Sequence, residues 1–598
     1  MAPLVFLLAL GDSGFYLPGS QPNVNGYAFQ STELCQYCHG NSHYAYDPET
    51  GGVDPHFTAE HEPHFQWAGS MMAQAARDPV FRAALTIAEQ DAPGAGQFCW
   101  RCHSPTAWLE ARSQPYDGSN FEPDDLQGVQ CDVCHRLVDP LSDEGRSLSD
   151  YPVPGYGNGM MVLSNSTAKR GPRADSFANH EWLYSSFHST GHFCGMCHDV
   201  SNPRLASDAR NQPPHEYMPI TRIYSEWLLS DYPQRGVQCQ TCHMPRTVGK
   251  AAEGPVPPVR SDLRRHTFAG GNYWVPQILP LFWEYDDRTL DALTVGRYRA
   301  IEMVRCAAKL SLASPKKYGN ITLRVTNLTG HKFPTGDPES RRAWLHVEFL
   351  DAQGNVIGES GRYDFATATL VKDPKAKIYH VQLGEGNRPT FHMMRANRVL
   401  FDNRIPPMGF RRSAFAQRQA APVGATYRDG QFWDDTTYQL PPGTVKVRAT
   451  LYYQVMTREY IEFLRNTNTT DDWGERLYQA WLATDKAPPI AVATLVYPHD
   501  KQPPTPPKNL VGNALSSTRI QLRWRASSDN EKVVYYEIWR RAPYEGKFRR
   551  IASTFSTETT FDDAGCHPDT EYEYYVRAVD MGGNVSSISN TVRVRTQP

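Results

Sequence analysis

Cys35-Gln-Tyr-Cys38-His39, Cys99-Trp-Arg-Cys102-His103, Cys131-Asp-Val-Cys134-His135, Cys194-Gly-Met-Cys197-His198 and Cys239-Gln-Thr-Cys242-His243 repeat one pattern five times. Ten of the twelve cysteines fall in these copies. Cys-x-x-Cys-His is the attachment pattern of a c-type haem: both thiols bond to the macrocycle and the adjacent His coordinates the iron. Zinc knuckles and disulfides also use paired cysteines, but neither needs a His directly after every second Cys. The pattern therefore predicts five haems c, with the ten cysteines as attachment points and the five histidines as proximal ligands.

Outward from the motifs, residues 21–310 are rich in Pro, Gly and short polar loops and show little hydrophobic periodicity. Such a segment can wrap macrocycles instead of building a core from side chains, which predicts a mainly α and irregular multihaem domain. Helices are expected near Trp67–Arg82 and Tyr217–Leu229. Fewer than thirty residues separate His103 from Cys131, so the second and third sites are expected to lie together. From 311 to 500 the pattern alternates. Ile321–Val325, Ala343–Leu350 and Val445–Tyr453 read as half-buried strands, Asp351–Gly354 as a turn, and Trp473–Ala483 as helical, together a β-sandwich domain. Gln502-Pro-Pro-Thr-Pro-Pro-Lys508 then reads as an extended, semi-rigid linker into a last domain at 503–598. The chain is multidomain on this reading. Cys306 and Cys566, outside the motifs, are expected in cores.

Residues 1–20 are a signal remnant or an ordinary N-terminal segment: Pro3–Leu10 is apolar but lacks a basic flank. No stretch reaches the roughly 18 apolar residues of a membrane span. A formal net charge of −3 gives no reason to expect nucleic acid.

Two resemblances follow. Leu522-Arg-Trp524, Cys566-His-Pro-Asp-Thr-Glu-Tyr572, Tyr574–Asp580 and Gly582–Ser586 fall in the order of a fibronectin type III domain, with Cys566 where Leu usually stands. Residues 15–350 resemble large exported multihaem cytochromes c, related to hydroxylamine-oxidoreductase-like proteins. The segments that carry this are Trp67–Pro79, Cys102–Trp108, Phe193–Pro203, His266-Thr-Phe-Ala-Gly-Gly and Asn327–Gly336. The resemblance implies a periplasmic or extracellular electron-transfer protein with redox partners. The two β modules would then serve partner docking, anchoring or self-assembly. The alternative is an oxidoreductase acting on a small nitrogen or sulfur compound at one open iron. Against it, no motif ends in the Lys that marks the catalytic haem of pentahaem nitrite reductases.

A second axial His or Met makes an iron suited to electron transfer, whereas an open position permits catalysis. His188 precedes the fourth motif, where related cytochromes carry a distal His, and His180 would share its face if the segment is helical. His266 has neighbouring glycines that would let backbone approach a haem edge. His331, in the loop Gly330–Gly336, would reach back from the sandwich. For the fifth iron, Met72 stands where relatives carry a His, with His61 and His64 as competitors. His43, His56, His192 and His215 are reserves.

Overall fold

Each motif lies on or at the end of a short helix. In the computed structural model, which describes residues 15–22, 26–40, 53–149, 151–317, 319–336 and 340–598, these helices are Thr32–His39, Ala95–His103, Cys131–Cys134, Gly191–Gly195 and Cys239–His243. A spacing of three and four puts both thiols and the His on one helical face. Helices this short are not stable alone, so their packing must hold them. Residues 1–14 and His43 lie outside the described residues.

The helix expected near Trp67–Arg82 is two helices, Pro63–Ala68 and Pro79–Asp91, joined by turns. Asp78 caps the second, accepting from Val80 N at 2.9 Å, and Pro79 fixes its first residue. The break is needed where Gly69 and Gly296 meet backbone to backbone, since a Cβ on either would collide with the other chain segment. The segment His180–His188 is not one helix. It runs through the strand Trp182–Tyr184 into a single tight turn at Ser186–Ser189. His180 and His188 therefore share no helical face, and each meets a different motif.

Alternation along Asn320–Asn327 buries Ile321, Leu323 and Val325 on one side. This strand lies between Trp433–Gln439 and Ala308–Lys317. A second antiparallel sheet runs Val356–Ser360, Arg342–Leu350, Lys446–Gln454 and Ile490–Tyr497. The largest apolar core crosses residue 310. It joins Val80, Ala83 and Ile87, the segment Tyr273–Leu279, and Ile301 and Val304 to Leu323, Trp344 and Leu451. Strand periodicity marks where β structure begins; it does not say which helices cover it.

The last module has a sheet of Lys508–Ala514, Ile520–Arg525 and Thr560–Asp563 against one of Arg549–Ser553, Val533–Arg541, Glu571–Asp580 and Val592–Arg595. Trp524, Cys566 and Tyr572 are in its core. Tyr572 accepts from His567 N at 2.9 Å, the tyrosine corner of such sandwiches. The module is docked, whatever the stiffness of the Pro-rich stretch before it. Arg550 pairs with Glu302 at 2.9 Å, Arg519 with Asp291, and Arg448 with Glu531 at 2.7 Å. Cys306 is exposed at the C-cap of the helix Asp287–Arg305, beyond the buried face of Ile301 and Val304, so the core expectation for it fails.

Candidate functional site

Four motif imidazoles are held in the same way. Nδ1 donates to a backbone carbonyl: His39 to Ala251 at 2.7 Å, His103 to Ala75 at 3.2 Å, His135 to Arg170 at 2.7 Å and His243 to Ala269 at 2.6 Å. A carbonyl only accepts, so the proton sits on Nδ1 and the Nε2 lone pair is left free. This is the orientation a metal-ligating imidazole takes. Burial pushes all five motif histidines below their usual pKa, His103 to about 4, and keeps them in the neutral form that binds metal. His198 is placed through its backbone, its carbonyl accepting from Tyr224 N at 3.0 Å.

Three of these rings face a second imidazole. Ring centroids are 6.4 Å apart for His39 and His180, 6.4 Å for His135 and His266, and 6.5 Å for His243 and His331. Two imidazoles sharing one metal ion stand roughly 6 Å apart, since each metal–nitrogen bond is about 2 Å and the ring centre lies about 1 Å behind its nitrogen. His188 is also 6.0 Å from His135. Its Nε2, however, meets the Cys134 carbonyl at 3.0 Å, and its Nδ1 meets the Ser185 hydroxyl at 2.9 Å. Both nitrogens of His188 are thus engaged, whereas His266 has only Nδ1 tied, to Arg264 O at 3.2 Å. Burial first and the neighbouring imidazoles second push His266 and His188 to about 3, and His331 to about 4. An open cleft of about 500 Å³ lies beside His180 and Trp182, with Phe177, Leu183 and Tyr184 leaving apolar surface exposed nearby.

Of the two glycines after His266, Gly270 has nothing within 4 Å of where a Cβ would stand. Gly271 packs on the Tyr453 hydroxyl, and the useful atom in the segment is the Ala269 carbonyl that holds His243. Met72 lies close to Ala75, whose carbonyl holds the Nδ1 edge of His103, and its own carbonyl accepts from Val129 N at 3.0 Å. His61 accepts from Thr58 N through Nδ1 at 3.0 Å, which commits its proton to Nε2. His64 lies tilted against Trp67, with ring centroids 5.5 Å apart, and His192 bonds the Tyr224 hydroxyl at 2.6 Å. Neither these two nor His56 and His215 shows a ring contact with a motif imidazole among the described residues.

Thiol contacts give the spatial order of the motifs. The Cys35 thiol neighbours Cys131, Cys102 neighbours Cys197, and Cys194 neighbours Cys239. Cys134 lies close to both Cys194 and Cys197. Backbone agrees: Gly159 N donates to Met196 O at 2.8 Å while a Cβ on Gly159 would touch Cys102 Sγ, and Gln238 accepts from Gly191 N at 2.8 Å. The motifs therefore run first, third, fourth, fifth, with the second joined at the fourth. The second and third segments share a core in which Trp100, Trp108 and Val133 are buried together, and Gln130 Nε2 donates to Thr106 Oγ1 at 3.4 Å. The motif thiols and imidazoles do not gather as zinc ligands do. Among the described residues the one set of three converging ligand atoms is Asp500, Asp529 and Asp580, far along the chain.

Four buried charges hold the His331 loop. Lys332 Nζ reaches Asp402 at 2.5 Å and Glu226 at 3.2 Å, and Arg404 pairs with Asp402 at 2.7 Å. Glu226, on the helix Ile223–Leu228, also accepts from Lys332 N at 2.9 Å. Asn327 Nδ2 donates to the His331 carbonyl at 2.7 Å. Sequence reading missed this quartet. Its one signal is a Lys between His331 and Phe333 in a loop otherwise short of charge.

Comparison with known proteins covers the two ends of the chain unequally. The Fibronectin type III domain model matches residues 505–595. Chitinase A1 of Niallia circulans is 39% identical over 108 residues, 18% of this chain and 14% of that protein. Exoglucanase B of Cellulomonas fimi is 36% identical over 98 residues, 16% of this chain and 8% of that protein. The chain thus spans 14% and 8% of the lengths of these two curated relatives. Among solved structures, a penta-heme cytochrome c552 from Thermochromatium tepidum aligns with 78% of this chain and 98% of its own, at 18% identity and a TM-score of 0.46. The FN5 domain of Drosophila Lar aligns with 16% of this chain and 98% of its own, at 21% identity and a TM-score of 0.14. The family match, the paired sheets and the tyrosine corner agree: residues 505–595 are a fibronectin type III domain.

Proposed function

We propose that each motif holds a haem c through its two thiols and its imidazole, and that the chain transfers electrons between redox partners outside the cytoplasm. The observation that carries this is the set of three imidazole pairs at 6.4–6.5 Å, each containing a motif His with Nδ1 tied and Nε2 free. Pairs fit an iron ligated on two sides. Zinc would require three or four ligand atoms to converge, and the motifs do not bring them together. When bound, haem supplies one-electron chemistry whose potential follows axial ligation and burial.

The residues have separate tasks. Cys35 and Cys38, Cys99 and Cys102, Cys131 and Cys134, Cys194 and Cys197, and Cys239 and Cys242 would hold the macrocycles. His39, His103, His135, His198 and His243 would each hold an iron, and His180, His266 and His331 would supply a second imidazole beside His39, His135 and His243. His188 braces the third motif through Cys134 O. Ala251, Ala75, Arg170 and Ala269 carbonyls hold ring orientation, and burial keeps water from the imidazoles. Export follows from the covalent attachment chemistry, and no helix among the described residues is long and apolar enough to cross a membrane. The test is a potentiometric titration followed in the visible spectrum with electron paramagnetic resonance. Low-spin bis-imidazole signals that reduce and reoxidise are expected. Stoichiometric binding of carbon monoxide to native reduced protein would favour the oxidoreductase alternative, and absence of redox-active absorbance would remove both.

A further inference from the structure

Arg265, Arg299 and Arg549 meet at a junction of three parts of the chain. Arg265 precedes His266, Arg299 lies on the helix Asp287–Arg305, and Arg549 begins a strand of the fibronectin type III domain. All three converge on Glu60: Arg265 Nη2 pairs with Oε2, Arg549 Nη1 stands 3.6 Å from Oε1, and Arg299 Nη2 stands 4.0 Å from it. Glu545 adds a second carboxylate, bound to Arg549 Nε at 2.5 Å. Three guanidinium charges thus face two carboxylates. Arg299 Nη2 and Arg265 Nε are buried and have no hydrogen-bond partner among the described residues.

Buried donors are almost always satisfied, and a guanidinium buried beside two others is costly without a matching anion. Glu60 cannot serve all three. Burial first, then Arg265 and Arg549, push Arg299 down to about 9, with Glu60 acting against them. A guanidinium fork matches the planar oxygens of a carboxylate or the oxygens of a phosphate.

We infer that Arg265, Arg299 and Arg549 form an oxyanion site that takes a carboxylate or phosphate group. One source is a propionate of the macrocycle ligated by His266, next to Arg265, and this occupant rests on the haem reading. The other is a free oxyanion. In either case the fibronectin type III domain contributes Arg549 to the site, which gives its docked position a chemical role.

The experiment uses full-length protein whose haem content has first been counted by mass, so that failure of the haem reading is seen separately. Wild type is compared with Arg299→Gln, Arg299→Lys and, should Arg299→Gln not fold, Arg549→Gln. Inorganic phosphate is titrated against Tm, and redox-difference infrared spectra report haem carboxylates. For a propionate, Arg299→Gln shifts a carboxylate band, lowers one midpoint potential, and phosphate leaves Tm unchanged; Arg299→Lys recovers the potential but not the band. For a free oxyanion, phosphate raises the wild-type Tm saturably and fails to do so in Arg299→Gln. Unchanged carboxylate bands together with a phosphate-independent Tm in every protein would overturn the proposal.

Discussion

Lys332 shows how much of the site depends on residues outside the five motifs. It is 2% exposed, and its ammonium is held by Asp402 and Glu226 while its amide is held by Glu226. Removing one partner of such a set leaves uncompensated buried charge, at a cost of about 3–5 kcal/mol. Lys332→Met should destabilise the protein by that amount in urea denaturation and open the iron opposite His331. Asp402 gives a pH dependence. Burial alone would raise its carboxyl, but Arg404 and Lys332 overcome that and hold it well below the usual carboxylate range. A depressed pKa contributes stability above the unfolded value, lost as pH falls through the folded one. Asp402→Asn should therefore cost most at neutral pH and progressively less in acid, as pH-dependent denaturation would record. His266→Ala should produce one high-spin haem, whereas His188→Ala should leave spin state unchanged. The reverse result would exchange their roles. The nearness of His266 to His135 and of His331 to His243 is not written in adjacent positions, and neither is the pair of contacts that occupies both nitrogens of His188.

At the scale of elements, the helix Asp287–Arg305 carries the most connections. Asp286 caps it, accepting from Thr289 N at 2.8 Å. One face buries Leu293, Ala300, Ile301 and Val304 against the strands after residue 308 and the motif-bearing segment. Other faces receive the fibronectin type III domain through Asp291, Tyr298, Glu302 and Arg305, whose guanidinium lies 4.0 Å over the Tyr535 ring. Arg305→Ala removes that stacking and the bond to Phe555 O, a loss of about 1–3 kcal/mol. Limited proteolysis between residues 498 and 507 should then proceed faster than in wild type. Equal cleavage would mean the module is held elsewhere. The strands around Ile321, Leu345 and Leu451 were readable because alternation is a local signal. This helix was not singled out, because its apolar stripe is narrow and the rest of its surface is spent on ion pairs with a distant module.

The whole molecule brings five copies of one short pattern into contact through a chain that supplies little regular structure of its own around them. The motifs, the change to strands near 311 and the last module could be read from residues alone, because each is written in adjacent positions. Spatial order could not. Cys35 meets Cys131 and Cys102 meets Cys197 because loops fold the chain back, and no spacing in the sequence encodes that return. The fourth motif, touching the second, third and fifth, becomes the junction through which a path from His39 to His243 must pass. Replacing Cys194 and Cys197 with Ser should therefore slow electron transfer between the end motifs more than the same change at Cys99 and Cys102, as stopped-flow reduction would show. All of this rests on covalent haem at every motif. The intact mass of the denatured protein tests that most directly. Five haem masses above the polypeptide, retained in acidified organic solvent, are expected from five complete motifs; a bare polypeptide mass, or four haems or fewer, would contradict it.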